Sequence, residues 1–459
     1  MSKDGYRHNA RNRFLFFECT AFHFSVIIKV FMRHILICVY ASARWMCYQK
    51  PKNEGVGEGK MIQKKITLLS TIILCVAICL AGCGKAQEQP EEPAPPQLEI
   101  EPIEPEEPEE PVVEEEPEEE EPTSLVIEER VEKDGKIQSY LTGQWTDVEQ
   151  ATRRPIAVMI PNNAPALPQY GLSRAGIIYE APVEGRITRL MGVFENFDDL
   201  DRIGPVRSSR DYYVYQAMGY EAIYCNWGLA VPYVEELINR PNYYNVSAAV
   251  VGIHNPADEA YGRHKRPGYA TEFTGYLFID GLFKAVERLG YDWNYDDAYV
   301  PPFLFAADNV RADYADNEDA AYVYPGGKSS SNSGGYGAYH PYFEYHEDDQ
   351  LYYRYQDGKK QIDELTGDQL AVSNVVFQYC HGEVRDDHDY LAFGVHGEGE
   401  AIVFTNGKVI KGTWKRFDGD FTPAKFYDES DEEIVFNQGS TWICNIWDEY
   451  GEFVEYGQE

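Results

Sequence analysis

Between Glu88 and Pro122 the chain holds seventeen glutamates, ten prolines and no lysine or arginine. No compact fold is open to such a stretch. It lacks the apolar side chains that would offset the entropy of ordering, its like charges repel, and each proline removes a backbone donor. The segment is expected to run as an extended tether. At about 3.1 Å per residue its length reaches roughly 110 Å. Whatever folds must therefore lie on either side of it.

What precedes the tether is short and basic. Residues 1–82 carry a net charge of +8, which leaves −43 for everything from Cys83 onward in a chain whose formal total is −35. A surface so acidic lacks the cations that a phosphate backbone requires, so no nucleic acid is expected as a partner. Met61-Ile62-Gln63-Lys64-Lys65 opens a three-part secretory signal over residues 61–82, with a short apolar run from Ile66 to Ile78 and then Leu80-Ala81-Gly82-Cys83. The apolar run is too short for a comfortable membrane span. Leu-Ala-Gly-Cys resembles the bacterial lipobox, which implies diacylation of Cys83, an anchor in the membrane and an extracytoplasmic location for residues 83–459. Residues 1–60 precede a complete signal and end in Gly57-Glu58-Gly59-Lys60, a run whose codons can mimic a ribosome-binding site. They are expected to be a gene-start error rather than translated sequence.

Beyond the tether the pattern changes twice. Residues 123–320 alternate strand and helix, with expected strands at 156–160, 176–181, 190–195, 222–227 and 248–253. Several of these are continuous apolar runs, as strands covered on both faces require. Helices are expected at 206–218, 232–239 and 276–289; in the last, Ile279, Leu282, Phe283, Val286 and Leu289 recur at helical spacing. Residues 321–459 begin with a Gly/Ser loop at 326–337. Short strands then follow at 342–345, 351–355, 375–379, 391–395, 401–405, 409–416, 425–427 and 441–446. Asn406-Gly407 between two apolar runs marks a tight hairpin. The expected fold class is α+β with two domains, a mixed α/β domain followed by a mostly antiparallel β domain. Cys225, Cys380 and Cys444, an odd trio without C-x-x-C spacing, are expected to be buried and free.

These segments are similar to a known family. R-P-I-A-V-M-I-P-N-N (154–163), G-L-S-R-A-G-I-I-Y-E-A-P-V-E-G-R-I-T-R (171–189) and R-I-G-P-V-R-S-S-R (202–210) resemble the YerB-like lipoproteins of Gram-positive bacteria. So do Y-R-Y-Q-D-G-K (353–359), L-A-V-S-N-V-V-F-Q-Y (370–379) and G-K-V-I-K-G-T-W-K (407–415). The resemblance covers 150–447 in order. It implies a secreted lipoprotein with two domains of unknown function, and no established activity. Two places depart from the family pattern. Asn226-Trp227-Gly228 stands where His-x-Gly is usual, and Pro267-Gly268-Tyr269 where a His-Asn pair is usual. Chemistry resting on those histidines would be lost in this chain.

Five arginines, Arg186, Arg189, Arg202, Arg207 and Arg210, fall within 25 residues of so acidic a chain. If Gly204-Pro205 opened a helix, Arg207 and Arg210 would share one face of its first turns, and Arg189 could join them around a phosphate or carboxylate. The same arginines could instead tie a structural knot with Asp198, Asp199, Asp201 and Asp211. Glu180 and Glu184, at the exit of a strand, could act as acid and base or hold a cation, or could pair with Arg186 and Arg189. Asn162 and Asn163, also past a strand end, could orient a ligand or cap the turn. His381, His388 and His396 with Asp386, Asp387 and Asp389 lack zinc or calcium spacing, so no metal is expected. No phosphate-binding, dinucleotide or nucleophile-elbow motif is present, and no cofactor is expected.

Three functions compete. The first is a lipid-anchored protein that binds an anionic envelope ligand, a cell-wall polymer or an envelope protein through its arginines, without catalysis. The second is an enzyme acting on phosphate- or pyrophosphate-bearing envelope material. The third is a structural or assembly lipoprotein.

Overall fold

Apolar runs covered on both faces build the centre of the molecule. The structure, a computed structural model, describes residues 124–248, 258–328 and 334–458. The upstream extension, the signal segment, Cys83 and the tether lie outside the described residues. So do most of the strand expected at 248–253, His254, and the centre of the Gly/Ser loop.

The first segment contributes strands Ile156–Pro161 (β1), Ile177–Val183 (β2), Ile187–Phe194 (β3), Ile223–Trp227 (β4) and Asn245–Ala248 (β5). Its main helices are Asp211–Met218 (α1), Val231–Ile238 (α2) and Ile279–Leu289 (α3). The second segment contributes Tyr322–Tyr324 (β6), Tyr342–His346 (β7), Leu351–Gln356 (β8), Asn374–Cys380 (β9), Gly382–Val384 (β10) and Leu391–Phe393 (β11). It continues with Gly397–Thr405 (β12), Lys408–Arg416 (β13), Lys425–Asp428 (β14), Thr441–Trp447 (β15) and Glu455–Gly457 (β16).

Ten of these form one sheet in the order β14-β13-β12-β9-β15-β2-β3-β1-β4-β5. The division expected near residue 320 is crossed inside this sheet, because β15 of the second segment pairs in parallel with β2 of the first, Thr441 beside Ile177 and Cys444 beside Glu180. The β12–β13 hairpin turns at Asn406-Gly407, both at positive φ, as its two-residue turn demands.

Each face of the sheet has its own cover. Met159, Tyr179, Met191, Val376 and Ile443 pack with α1 and α2 through Tyr213, Val214, Val234 and Leu237. On the other face, Val158, Ile178, Leu190, Val375 and Trp442 meet α3 and a second, six-stranded sheet that includes β8, β7, β6 and β16. Two-sided burial is why β1 reads as an unbroken apolar run and β2 is buried along its whole length, whereas in β8, with one buried face, burial alternates. Two helices are shorter than expected. α1 begins at Asp211 rather than Val206, and residues 276–278, expected as the first turn of α3, belong instead to the strand Gly275–Phe278, which pairs with 261–263 and 202–203.

A buried ion pair joins the two sheets. Glu180 of β2 and Arg354 of β8 both have side chains with no solvent exposure, 2.7 Å apart. The Glu180 carboxylate also accepts from Asn162 Nδ2 (2.9 Å), Thr188 Oγ1 (2.7 Å) and Trp442 Nε1 (3.0 Å). The Arg354 guanidinium lies against the Phe343 and Trp442 rings, 4.7 Å from each centroid. Around them, Asn162 Oδ1 accepts from Gln356 and Gln361, so the network runs from the end of β1 to the end of β8. Removing one partner strands a charge in the interior. Arg354→Met should lower the unfolding free energy by about 3–5 kcal/mol, and Glu180→Gln together with Arg354→Met should recover part of that loss. Urea denaturation of both variants measures it.

Glu195, just past β3, is buried with Oε1 lacking a hydrogen-bond partner among the described residues. Burial raises its carboxyl to about 7, against the lowering effects of Ser139, Arg130 and Arg153. The folded chain thus holds a proton that the unfolded chain releases, so this group's stabilisation is full below the unfolded value of 4.5 and declines as pH rises towards 7. Relative to wild type, Glu195→Gln should gain roughly 3 kcal/mol between those limits and stay level above them, as read by denaturation at stepped pH.

Candidate functional site

Strands β1, β2, β4, β5, β9 and β15 all run in one direction, with β3 antiparallel between β1 and β2. Their carboxyl ends share one edge, where open sheets gather ligands. The arginine cluster reaches that edge by a backbone wedge. β1 and β4 pair only as far as Val158 and Cys225. Beyond that point residues 207–209 enter the gap: the Arg207 N–H donates to the Met159 carbonyl (2.9 Å), and the Trp227 N–H donates to the Arg207 carbonyl (3.0 Å). The Ser209 N–H donates to the Gly228 carbonyl (2.8 Å). With their backbone groups committed to neighbouring strands, these residues cannot begin a helix. This corrects the shared helical face expected for Arg207 and Arg210. Gly228 allows the approach: it holds φ +95, and a Cβ there would stand 2.4 Å from Ser208 Oγ.

The arginines then part company. Arg210 grips Glu184 with two nitrogens, Nε to Oε1 at 2.7 Å and Nη2 to Oε2. Arg207, half-buried, pairs with Glu272 at 3.1 Å. Arg202 pairs with Asp201 and lies over the Tyr170 ring. Arg186 is exposed at positive φ in the turn Glu184–Arg186 between β2 and β3. Much of the cluster is therefore the ion-pair knot that the acidic composition suggests.

Arg189 differs. It starts from β3 beside Pro161 and Ala181, is 7% exposed, and its Nη1 donates to the Ser208 carbonyl at 2.7 Å. Among the described residues no carboxylate lies within ion-pair distance of it. Burial, and then the positive charges of Arg210 and Arg207, pull its pKa down to about 10, against the raising effect of Tyr212 and Tyr213. It remains a cation at neutral pH, enclosed beside two others.

The remaining candidates have settled positions. Glu180 is closed inside the inter-sheet network, with no face towards solvent, which gives it a structural role in place of the acid–base one. Asn162, just past the end of β1, has its side chain committed to the same network. Asn163 precedes the short turn Ala164–Ala166 without a capping bond. Asn226, at the family's usual histidine position, fastens its own turn by donating to the Gly228 carbonyl and accepting from Ser247. His381, His388 and His396 are dispersed, against Asp448, Asp386 and Asp420 respectively. All three cysteines are buried and free, and burial pushes their thiols up. Sequence reading passed over Arg354, Gln356 and Trp442. The alternation of L-Y-Y-R-Y-Q puts Arg354 on the face of Tyr352, but nothing local says that this face is the covered one.

The comparisons with known proteins agree with this architecture. The family described as protein of unknown function (DUF3048) matches by its N-terminal domain over residues 141–287 and by its C-terminal domain over 333–443. A Bacillus subtilis protein named "Putative lipoprotein YerB" is 28% identical over 318 residues, covering 67% of this chain and 86% of its own. The crystal structure of the YerB protein from Bacillus subtilis matches with a TM-score of 0.58 at 24% identity, over 70% of this chain and 99% of that one. With both domain models matched in order, the chain belongs to the YerB-like lipoprotein family.

Proposed function

We propose that the protein is a lipid-anchored, extracytoplasmic binding protein that takes a phosphate- or carboxylate-bearing ligand at Arg189, flanked by Arg207 and Arg210. One observation carries the reading: Arg189 is a nearly buried cation without a carboxylate among the described residues. Desolvating a guanidinium without a counter-charge is costly, and an anionic ligand is the group that would offset it. The location at the carboxyl ends of six co-directional strands supports the same conclusion. Anchorage rests on Leu80-Ala81-Gly82-Cys83 and on the likeness to a protein named as a lipoprotein. Among the described residues no helix is long and apolar enough to cross a membrane.

Thermal melting of the full chain against phosphate, pyrophosphate and citrate tests the site. At one hundred times its dissociation constant a specific anion should stabilise the fold by about 2.7 kcal/mol. Arg189→Met should abolish that response while melting no lower than wild type without ligand, because it removes a buried cation that has no counter-charge among the described residues. A variant that melts far lower, in a protein indifferent to all three anions, would make Arg189 structural.

A further inference from the structure

At the same edge, beyond the ends of β2 and β15, lies a cleft of about 650 Å³, within the range of small-molecule sites. We propose that this cleft binds a saccharide, at a position separate from Arg189. One wall is aromatic: Trp447 and Tyr450 line it, with ring centroids 5.1 Å apart. Val384 and Leu391, paired across the β10–β11 hairpin, extend the apolar surface, and Val384 is 54% exposed at the rim. The lining also carries Glu184, Arg186 and Asp389. Three glycines, Gly334, Gly335 and Gly337, line it as well. A Cβ on Gly334 would stand 2.9 Å from the Tyr450 ring, and one on Gly335 would stand 2.6 Å from Pro182. At Gly334 and Gly335 bare backbone therefore closes against the walls.

The chemistry of this lining selects a polyol. A pyranose offers an apolar C–H face to an aromatic wall, and around its rim hydroxyls that both donate and accept. Carboxylates accept from such hydroxyls and guanidiniums donate to them. Glu184 is already neutralised by the two-pronged contact with Arg210, so an uncharged ligand desolvates it without leaving an unpaired charge. A purely apolar ligand would strand these polar groups, and a free anion would meet the Asp389 carboxylate.

The test is titration of the full chain with two neutral probes, the β-1,4-linked tetramers of N-acetylglucosamine and of glucose, followed calorimetrically. Saturable binding of at least one is expected. Tyr450→Ala should weaken it about tenfold, the scale of one lost aromatic contact. Val384→Trp, at an exposed rim position, should block it with an unchanged melting temperature. Absence of saturable binding by both probes would overturn the proposal, as would binding that survives both substitutions. Phosphate, pyrophosphate and citrate are titrated in parallel. A sugar response without a response to any of the three anions would leave the cleft standing and remove the Arg189 reading; the reverse would remove the cleft alone.

Discussion

The contact between Glu180 and Arg354 decides how this molecule is assembled. It joins β2 of the ten-stranded sheet to β8 of the second sheet, between side chains that reach no solvent. Two such charges are costly to bury, and they persist because every neighbour contributes: Asn162, Thr188 and Trp442 donate to the carboxylate, while aromatic rings flank the guanidinium. An apolar interface would tolerate sliding by a residue. This one does not, because a shift of one position along β8 would turn Arg354 towards solvent and leave Glu180 alone.

The carboxyl edge follows from that register. With β15 fixed beside β2, the ends of both strands meet where the hairpin β10–β11 and the glycine-rich turn near 335 close over them. On the other side of β3, residues 207–209 wedge between β1 and β4 and bring Arg207 and Arg210 to the same edge, where β3 itself places Arg189, three arginines in all. Two of them are compensated by glutamates, and the third, Arg189, has no carboxylate partner among the described residues. At the level of single residues the ion-pair knot is incomplete: Arg207 and Arg210 are paired, and Arg189 lies beside them.

Much of the fold was legible beforehand, and the reason is local. The apolar runs at 156–160 and 222–227, the alternation of 351–355 and the Asn406-Gly407 turn each encode their conformation within a few residues, and each strand formed where expected. The helix expected from Val206 failed because its first residues have better backbone partners in β1 and β4, far away in sequence. Glu180 looked available for chemistry for a similar reason. Its partner lies 174 residues downstream, and no spacing rule connects them.

The sequence by itself determined the segregation of charge, the Glu/Pro composition of residues 88–122, the Leu80-Ala81-Gly82-Cys83 pattern, the strand-rich composition and the family resemblance. All of these depend on residue type and near-neighbour spacing. Only the tertiary structure decided which carboxylate is entombed and which lines a cleft, which arginine lacks a counter-charge, and that strands from both halves share one sheet. Those outcomes depend on burial and on partners distant along the chain. The free energy of a charge is set by its surroundings, and the surroundings exist only once the chain has folded.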